Sequence, residues 1–193
     1  MHVRLSVVPF FLVPFSASEA GEGRIQMNDS AGFAWGHVNL NVSDLERSIA
    51  FYGKFGFEVF LPGIPYLGLA RDHASGLAEG PARALGLTPG ILGRGCILQL
   101  DEGFPKLDLI ELEGAENAPV AGNADRGFVR ICLASRDLHA DCERLAAAGV
   151  DFETAPVTME RDLAEVALCR DPDGALIELI QVHLARWGGT TLS

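Results

Sequence analysis

The sequence lacks several features that mark particular classes of protein. Its four cysteines form no CxxC pair, and no apolar run reaches the roughly 18 residues that cross a bilayer. It contains neither GxGxxG nor a loop ending in Lys-Ser/Thr, which argues against the usual nucleotide and phosphate sites. Lys and Arg number 15 against 26 Asp and Glu. The net charge of −11 argues against nucleic acid or an anionic membrane as a partner, because clustered cations bind both.

The few cysteines indicate a reducing environment. Each lies in an apolar stretch: Cys96, Cys132, Cys142 and Cys169. Unpaired thiols in such stretches favour reduced, buried side chains, and a cytoplasmic protein is therefore expected. Hydrophobic residues make up 48% of the 193 residues, so the chain can bury a sizeable core without needing a disulfide to fold.

The N-terminal segment 1–32 is interpreted as an extension outside the fold. The stretch MHVRLSVVPFFLVPFSASEA has a basic residue, an apolar part and then small residues, as a secretory signal does, but Pro9 and Pro14 interrupt it. Three explanations stay open. The reading frame is over-extended and translation begins at Met27, or residues 1–20 are a true signal and the protein is exported, or the extension is ordered.

The rest of the chain contains an internal repeat. The segments HVNLNVSDLERSIAFYGKFGFEVF (37–60) and RICLASRDLHADCERLAAAGVDFE (130–153) align at one constant offset, which pairs Leu45 with Leu138 and Gly56 with Gly149. Each segment reads as strand, helix and strand, and two further strands follow it. The pattern predicts an α+β fold of two tandem βαβββ modules, residues 33–118 and 126–183, followed by a tail, 184–193.

The first module is longer than the second. The string LIEL ends both modules, at 109–112 and 176–179, which pairs Leu109 with Leu176. Fewer residues separate the two LIEL strings than separate the first strands of the two modules. The first module is therefore the longer one, and it is expected to carry a 26-residue insertion between FEVF and GCILQL. A short helix between glycine-rich turns is expected there. Such an insertion either shapes a binding site or is a solvated excursion.

Alternation along the strands indicates which side chains face a shared cavity. In the first strand Val38 and Leu40 are expected to face the helix, which leaves His37 and Asn39 on the opposite side of the sheet. The second module places Arg130 and Cys132 at the corresponding positions. If two curved sheets wrap toward each other, four charged or titratable side chains converge: His37, Glu111, Arg130 and Glu178.

The paired modules resemble a known family. The strings HVNLNVSDLERSIAFY, AAAGVDF and DPDGALIELIQ resemble the vicinal oxygen chelate superfamily, which includes glyoxalase I, extradiol dioxygenases and bleomycin-resistance proteins. The resemblance covers residues 33–183. It implies the glyoxalase/bleomycin resistance/dioxygenase fold, with curved sheets around a cavity, a small-molecule substrate and a homodimer.

The resemblance also implies a metal site. Glyoxalase-like members hold a divalent metal with one His from each first strand and one acidic or amide residue from each last strand. His37, Glu111 and Glu178 match as metal ligands, whereas Arg130 stands in place of the second His. One imidazole and two carboxylates suit Mn, Ni, Co, Fe or Zn. The leading interpretation is a metal-dependent lyase, isomerase or oxygenase on a small oxygenated metabolite, with Glu178 or Glu111 as the catalytic base.

Arg130 supports the opposite interpretation equally well. A guanidinium can neutralise the two glutamates through paired hydrogen bonds. The cavity would then be free of metal and would bind or sequester a small molecule, as bleomycin-resistance proteins do. Four residues are candidates for contact with the ligand in either case: Arg130, Asn39, Cys132 and His73.

Overall fold

The computed structural model describes residues 34–116 and 121–189. The predictions for residues 1–32 concern a segment outside this part of the chain. The α+β class is confirmed, with helices and strands alternating as the repeat requires. No helix within the described residues is both long and apolar enough to cross a membrane.

The first module contains the larger sheet. Its elements are β1 (His37–Asn41), α1 (Leu45–Gly53), β2 (Glu58–Leu61), β3 (Gly63–Ile64), β4 (Leu69–Ala70), β5 (Ser75–Gly76), α2 (Glu79–Ala84), β6 (Leu92–Gln99) and β7 (Lys106–Leu112). The strand order is β1-β7-β6-β2, with β5 also paired to β6. β1 runs parallel to β7, and the other pairs are antiparallel.

The second module repeats this topology. Its elements are β8 (Arg130–Ala134), α3 (Leu138–Ala147), β9 (Phe152–Thr158), β10 (Ala164–Arg170) and β11 (Leu176–Val182). The strand order is β8-β11-β10-β9, and β8 runs parallel to β11. The segment DPDG (171–174) joins β10 to β11 as a turn, and the carboxylate of Asp171 accepts the backbone N–H groups of Asp173 and Ala175. The tandem βαβββ arrangement is thus present.

The strand register corrects the alignment of the two modules. In the first module Asn39 lies opposite Asp108, and in the second Cys132 lies opposite Glu178. Because the repeat pairs Asn39 with Cys132, Asp108 and not Glu111 corresponds to Glu178. The two LIEL strings therefore do not correspond in the fold, and the insertion is slightly shorter than their alignment predicted.

One apolar core joins the two modules. The buried side chains of α1 and α3, including Leu45, Tyr52, Leu138 and Leu145, belong to the same cluster. The Tyr52 hydroxyl crosses between the modules and donates to Asp171 at 2.9 Å. The helix faces of both sheets are covered in this way, which leaves their opposite faces to form the binding surface.

The insertion packs over the first sheet instead of projecting into solvent. The expected short helix is α2, and the β3–β4 hairpin lies over β6. A Cβ at Gly95 would lie 2.9 Å from the Cδ1 atom of Ile64 and 2.7 Å from the carbonyl oxygen of Leu109. Glycine at this position lets the hairpin approach the strand, because any larger side chain would collide. The stretch GILGRG (90–95) contributes the start of β6 at Leu92.

Candidate functional site

The polar face of β1 carries the first part of the candidate site. His37, Asn39 and Asn41 are exposed, whereas Val38 and Leu40 pack against the core. The side-chain amide of Asn39 donates to the side-chain oxygen of Asn41 at 3.1 Å. The alternation expected from the sequence is therefore present, and a row of imidazole and amide groups faces away from α1.

Asp108 is the central acidic residue of this face. It lies on β7 opposite Asn39, and it is fully buried. Its Oδ2 atom accepts a hydrogen bond from the Tyr66 hydroxyl and lies 3.8 Å from Nδ1 of His37. Its Oδ1 atom has no hydrogen-bond partner within the described residues. Burial of a carboxylate with one oxygen unpaired is costly, which is typical of a functional position.

Tyr66 comes from the insertion. It lies in a short 3-10 helix, Pro65–Leu67, and its ring stacks against that of His37 with centroids 6.0 Å apart. Partial burial and the hydrogen bond to Asp108 raise the pKa of the Tyr66 phenol. Tyr66 is therefore a protonated donor at neutral pH, and it fixes one oxygen of Asp108 beside the imidazole.

A cavity of about 260 Å³ opens at this face. Its polar end is formed by His37, Asn39, Asn41 and Tyr66. Every other lining residue is aliphatic, and most of them belong to the insertion. All lining residues come from the first module, so this cavity is a feature of one sheet and its insertion.

Glu111 does not lie beside His37. Its Oε2 atom accepts the backbone N–H of Leu45 at 2.7 Å and the Arg94 guanidinium at 2.8 Å. In the second module, Oε1 of Gln181 accepts the backbone N–H of Leu138 at the same distance. Glu111 thus corresponds to Gln181 and caps the N-terminus of α1. It is not among the described residues that line the cavity beside His37, and it shares a strand face with the core residue Leu109.

Glu178 is held by Arg130 in the second module. Arg130 donates through Nε to Oε2 of Glu178 and through a terminal nitrogen to Asn123 at 3.0 Å. Cys132 contacts the other carboxylate oxygen, with Sγ 3.4 Å from Oε1. Cys132 is exposed, whereas the other three cysteines are buried as expected. Partial desolvation and the neighbouring Glu178 still raise the pKa of the Cys132 thiol to about 12, so it is not a nucleophile at neutral pH.

Within the described part of the chain, Arg130 and Cys132 line cavities other than the one beside His37. Arg130 lines a different hollow, together with Leu40 and Phe128, and Cys132 lines a third, together with Val38 and Phe104. His73 is exposed, with Nδ1 2.7 Å from the carboxylate of its neighbour Asp72, and it does not line the cavity beside His37.

The donors in one chain do not fit a catalytic metal. His37 and Asp108 provide two donors, including the unpaired Oδ1 atom of Asp108, but a catalytic metal usually takes three protein ligands. Within the described part of the chain, no three His, Cys, Asp or Glu side chains are placed to hold an ion. In the second module Arg130 places a cation on Glu178, where a metal would be repelled.

The described histidines outside this face are explained by local pairing. His139 and His183 approach the two carboxylate oxygens of Glu165, at 3.6 and 3.9 Å. Asp108 and Tyr66 are the functional candidates that the sequence analysis missed. The parity of β7 could have identified Asp108, because it alternates with the apolar residues Leu107 and Leu109.

Comparison with known proteins shows the family. The family model described as "Glyoxalase/Bleomycin resistance protein/Dioxygenase superfamily" matches residues 34–179. A lactoylglutathione lyase from Pseudomonas aeruginosa is 28% identical over 162 residues, covering 79% of this chain and 84% of the relative. A lactoylglutathione lyase from Pseudomonas putida is 31% identical over 164 residues, covering 79% and 87%.

A solved structure shows the same fold. A glyoxalase family protein from Bacillus cereus superposes with a TM-score of 0.60 at 16% identity, covering 86% of this chain and 99% of that one. The shared arrangement of paired modules and the family match over most of the chain agree with each other. The chain belongs to the glyoxalase/bleomycin resistance protein/dioxygenase superfamily.

Proposed function

We propose that the chain is a glyoxalase-like isomerase or lyase that moves a proton on a small oxygenated metabolite. The observation that carries the proposal is the exposed imidazole of His37, at the polar end of a cavity, beside the buried carboxylate of Asp108. An imidazole is the side chain that most often accepts or donates a proton in catalysis.

His37 is the proposed general base. It removes a proton from the carbon next to a carbonyl, and the electron pair of the broken C–H bond moves into the enolate. Asp108 stabilises the imidazolium that forms, because its Oδ2 atom lies 3.8 Å from Nδ1. Tyr66 keeps that carboxylate in place. In an α-hydroxy carbonyl substrate the hydroxyl proton of the reacting carbon passes to the oxygen of the former carbonyl, and His37 returns its own proton to the former carbonyl carbon. The isomerisation then consumes no protons.

The amides of Asn39 and Asn41 are proposed to hold the substrate oxygen. Both line the cavity next to His37. Their mutual hydrogen bond uses one N–H of Asn39 and leaves the other amide N–H groups of the pair for a ligand. Donors aimed at an oxygen that gains negative charge lower the barrier to enolate formation.

The metal-dependent form of this reaction requires a further donor. Glu178 stays a proposed ligand or base for that form, contributed by a second copy of the chain, because within one chain it is bound to Arg130 and is not among the described residues that line the cavity beside His37. A metal-free binding protein is the second candidate. The hydrogen bond from Arg130 to Glu178 favours it, since that glutamate is already neutralised.

Proton exchange tests the proposal. Acetoin, a neutral α-hydroxyketone, is incubated with the protein in D₂O, and loss of its carbinol proton is followed by NMR. His37→Gln and Asp108→Asn are expected to slow exchange by about 100-fold or more. His73→Gln is the matched control, because that histidine is exposed and lies outside the cavity. Exchange no faster than in buffer would contradict the enzyme and favour the binding protein.

A metal titration separates the two forms of the enzyme. The purified protein is loaded in turn with Mn, Ni, Co, Fe and Zn, and its metal content is measured after dialysis. About one ion per chain, lost in His37→Gln and in Glu178→Gln, would support the metal-dependent form. If chelator-treated protein still catalyses exchange of the carbinol proton of acetoin for deuterium, the metal-independent form is supported.

A further inference from the structure

The insertion decides what the cavity beside His37 can hold. Leu77 precedes α2, and Leu85 and Leu87 follow it. These three side chains line the cavity together with residues of β1 and β7. Leu77 is nearly fully buried, whereas Leu85 is half exposed at the rim. The cavity therefore has a polar end at β1 and an aliphatic wall that the second module, which lacks the insertion, does not possess.

Among the described residues that line the cavity there is no lysine or arginine. Two arginines of the same module, Arg71 and Arg94, are bound to Glu46 and Glu111. Buried Lys106 lies opposite His37 in the strand register, but its Nζ atom donates to Gln99 and to the carbonyl of Asp101. The buried carboxylate of Asp108 contacts Tyr66 and lies close to His37. An anionic ligand in this cavity would thus be desolvated beside a negative group and would find no cation to bind.

We propose that the cavity takes a small uncharged molecule, with a hydroxyl or carbonyl group at His37 and a short aliphatic body against the insertion. This assignment rests on the proposed function only for the orientation of the oxygenated end. It differs from the substrate named for the Pseudomonas relatives, because a glutathione thioester carries two carboxylates. The volume of about 260 Å³ lies just below the usual range for ligand cavities, which begins at about 300 Å³, and it agrees with a small ligand.

Calorimetric binding tests the assignment with three probes. Butyroin and acetoin carry the same α-hydroxyketone group, but butyroin has four more methylenes. Each methylene that enters an apolar wall strengthens binding by roughly fourfold. Butyroin is therefore expected to bind at least about tenfold more tightly than acetoin. S-lactoylglutathione is expected to bind more weakly than butyroin.

One substitution places a cation at the rim. Leu85→Arg is expected to fold, because the side chain is half exposed, to weaken butyroin binding by about tenfold, and to strengthen binding of S-lactoylglutathione. Val157→Arg is the matched control. Val157 is similarly exposed, but it lies on β9 in the second module.

The outcomes separate this inference from the proposed function. Equal affinity for butyroin and acetoin, or tighter binding of S-lactoylglutathione than of butyroin, would overturn the inference, and so would failure of all three probes to bind. Preferential binding of butyroin without any deuterium exchange would support the inference while removing the proposed catalysis. If the protein catalyses deuterium exchange on S-lactoylglutathione and does not bind butyroin, the proposed catalysis is supported and the inference about the ligand is overturned.

Discussion

The carboxylate of Glu111 accepts the backbone N–H of Leu45 at 2.7 Å. This contact gives Glu111 a structural role, because the first N–H groups of a helix have no partner within the helix. The second module makes the same contact with a neutral amide, from Leu138 to Gln181. Because a neutral amide makes this contact in the second module, the comparison raises the question of whether the acceptor oxygen or the charge of Glu111 stabilises the start of α1.

Replacing Glu111 separates the two properties. Glu111→Gln keeps an oxygen that can accept from Leu45 and loses the ion pair with Arg94, which is about a quarter exposed. We expect a loss of under about 1 kcal/mol. Glu111→Ala removes the cap and leaves the N–H of a buried residue unpaired, with an expected cost of about 1–3 kcal/mol. Urea unfolding measures both, and a larger cost for Gln than for Ala would contradict the capping role.

The sequence contains the signal that distinguishes Asp108 from Glu111. In KLDLIEL, Leu107, Leu109 and Glu111 share one parity, and the first two are core residues. The identical LIEL strings suggested a different pairing of the modules. Register is set by long-range pairing of β1 with β7, and a short local match cannot report it. Element order, the repeat and the DPDG turn were predictable, because each depends on local spacing.

Tyr66 could not be assigned from the sequence. It lies in an irregular part of the insertion, where no periodic pattern fixes the direction of a side chain. Its contact with Asp108 spans 42 positions in the chain. The position depends on the β3–β4 hairpin and on its close approach to Gly95, both of which are tertiary features.

Alkaline pH is expected to destabilise the protein through Tyr52. Its phenol is fully buried and donates to Asp171, and burial raises the pKa of Tyr52 far above that of an exposed phenol. The unfolded chain releases this proton above pH ~10, whereas the folded chain keeps it. The unfolded state then binds fewer protons, so the free energy of unfolding falls as pH rises, by about 1.4 kcal/mol per pH unit for one proton.

Tyr52→Phe provides the control for that slope. The variant is expected to be less stable at neutral pH, because Asp171 loses a hydrogen bond. Above pH ~10 its free energy of unfolding should fall less steeply with pH than that of the wild type, and the difference in slope should correspond to about one proton. Denaturant titrations at several pH values measure the difference. Identical slopes for the two proteins would show that Tyr52 does not keep its proton in the folded state.

Replacing Arg130 tests the charge beside Glu178. The Arg130 side chain is 40% exposed, so loss of its ion pair should cost about 1 kcal/mol or less. Arg130→His substitutes a neutral imidazole for a cation, and binding of Ni or Zn is expected to strengthen. Arg136→His is the control, because Arg136 is exposed in the loop before α3. Equal gains in metal affinity for both variants would contradict a specific effect at Glu178.

The separation of His37 from Glu178 within one chain predicts a shared site between two copies. A homodimer is the expected assembly, and light scattering should give twice the chain mass of 20.6 kDa. Mixing chains that carry His37→Gln with chains that carry Glu178→Gln, by co-expression, provides the sharper test. Each mixed dimer then contains one site with both original residues, and mixed dimers form half of the population. In the metal-dependent form, in which Glu178 is needed and each variant alone is inactive, about a quarter of the wild-type exchange activity should return. If each variant alone is inactive and the mixture stays inactive, the two residues do not act in one site formed by two chains.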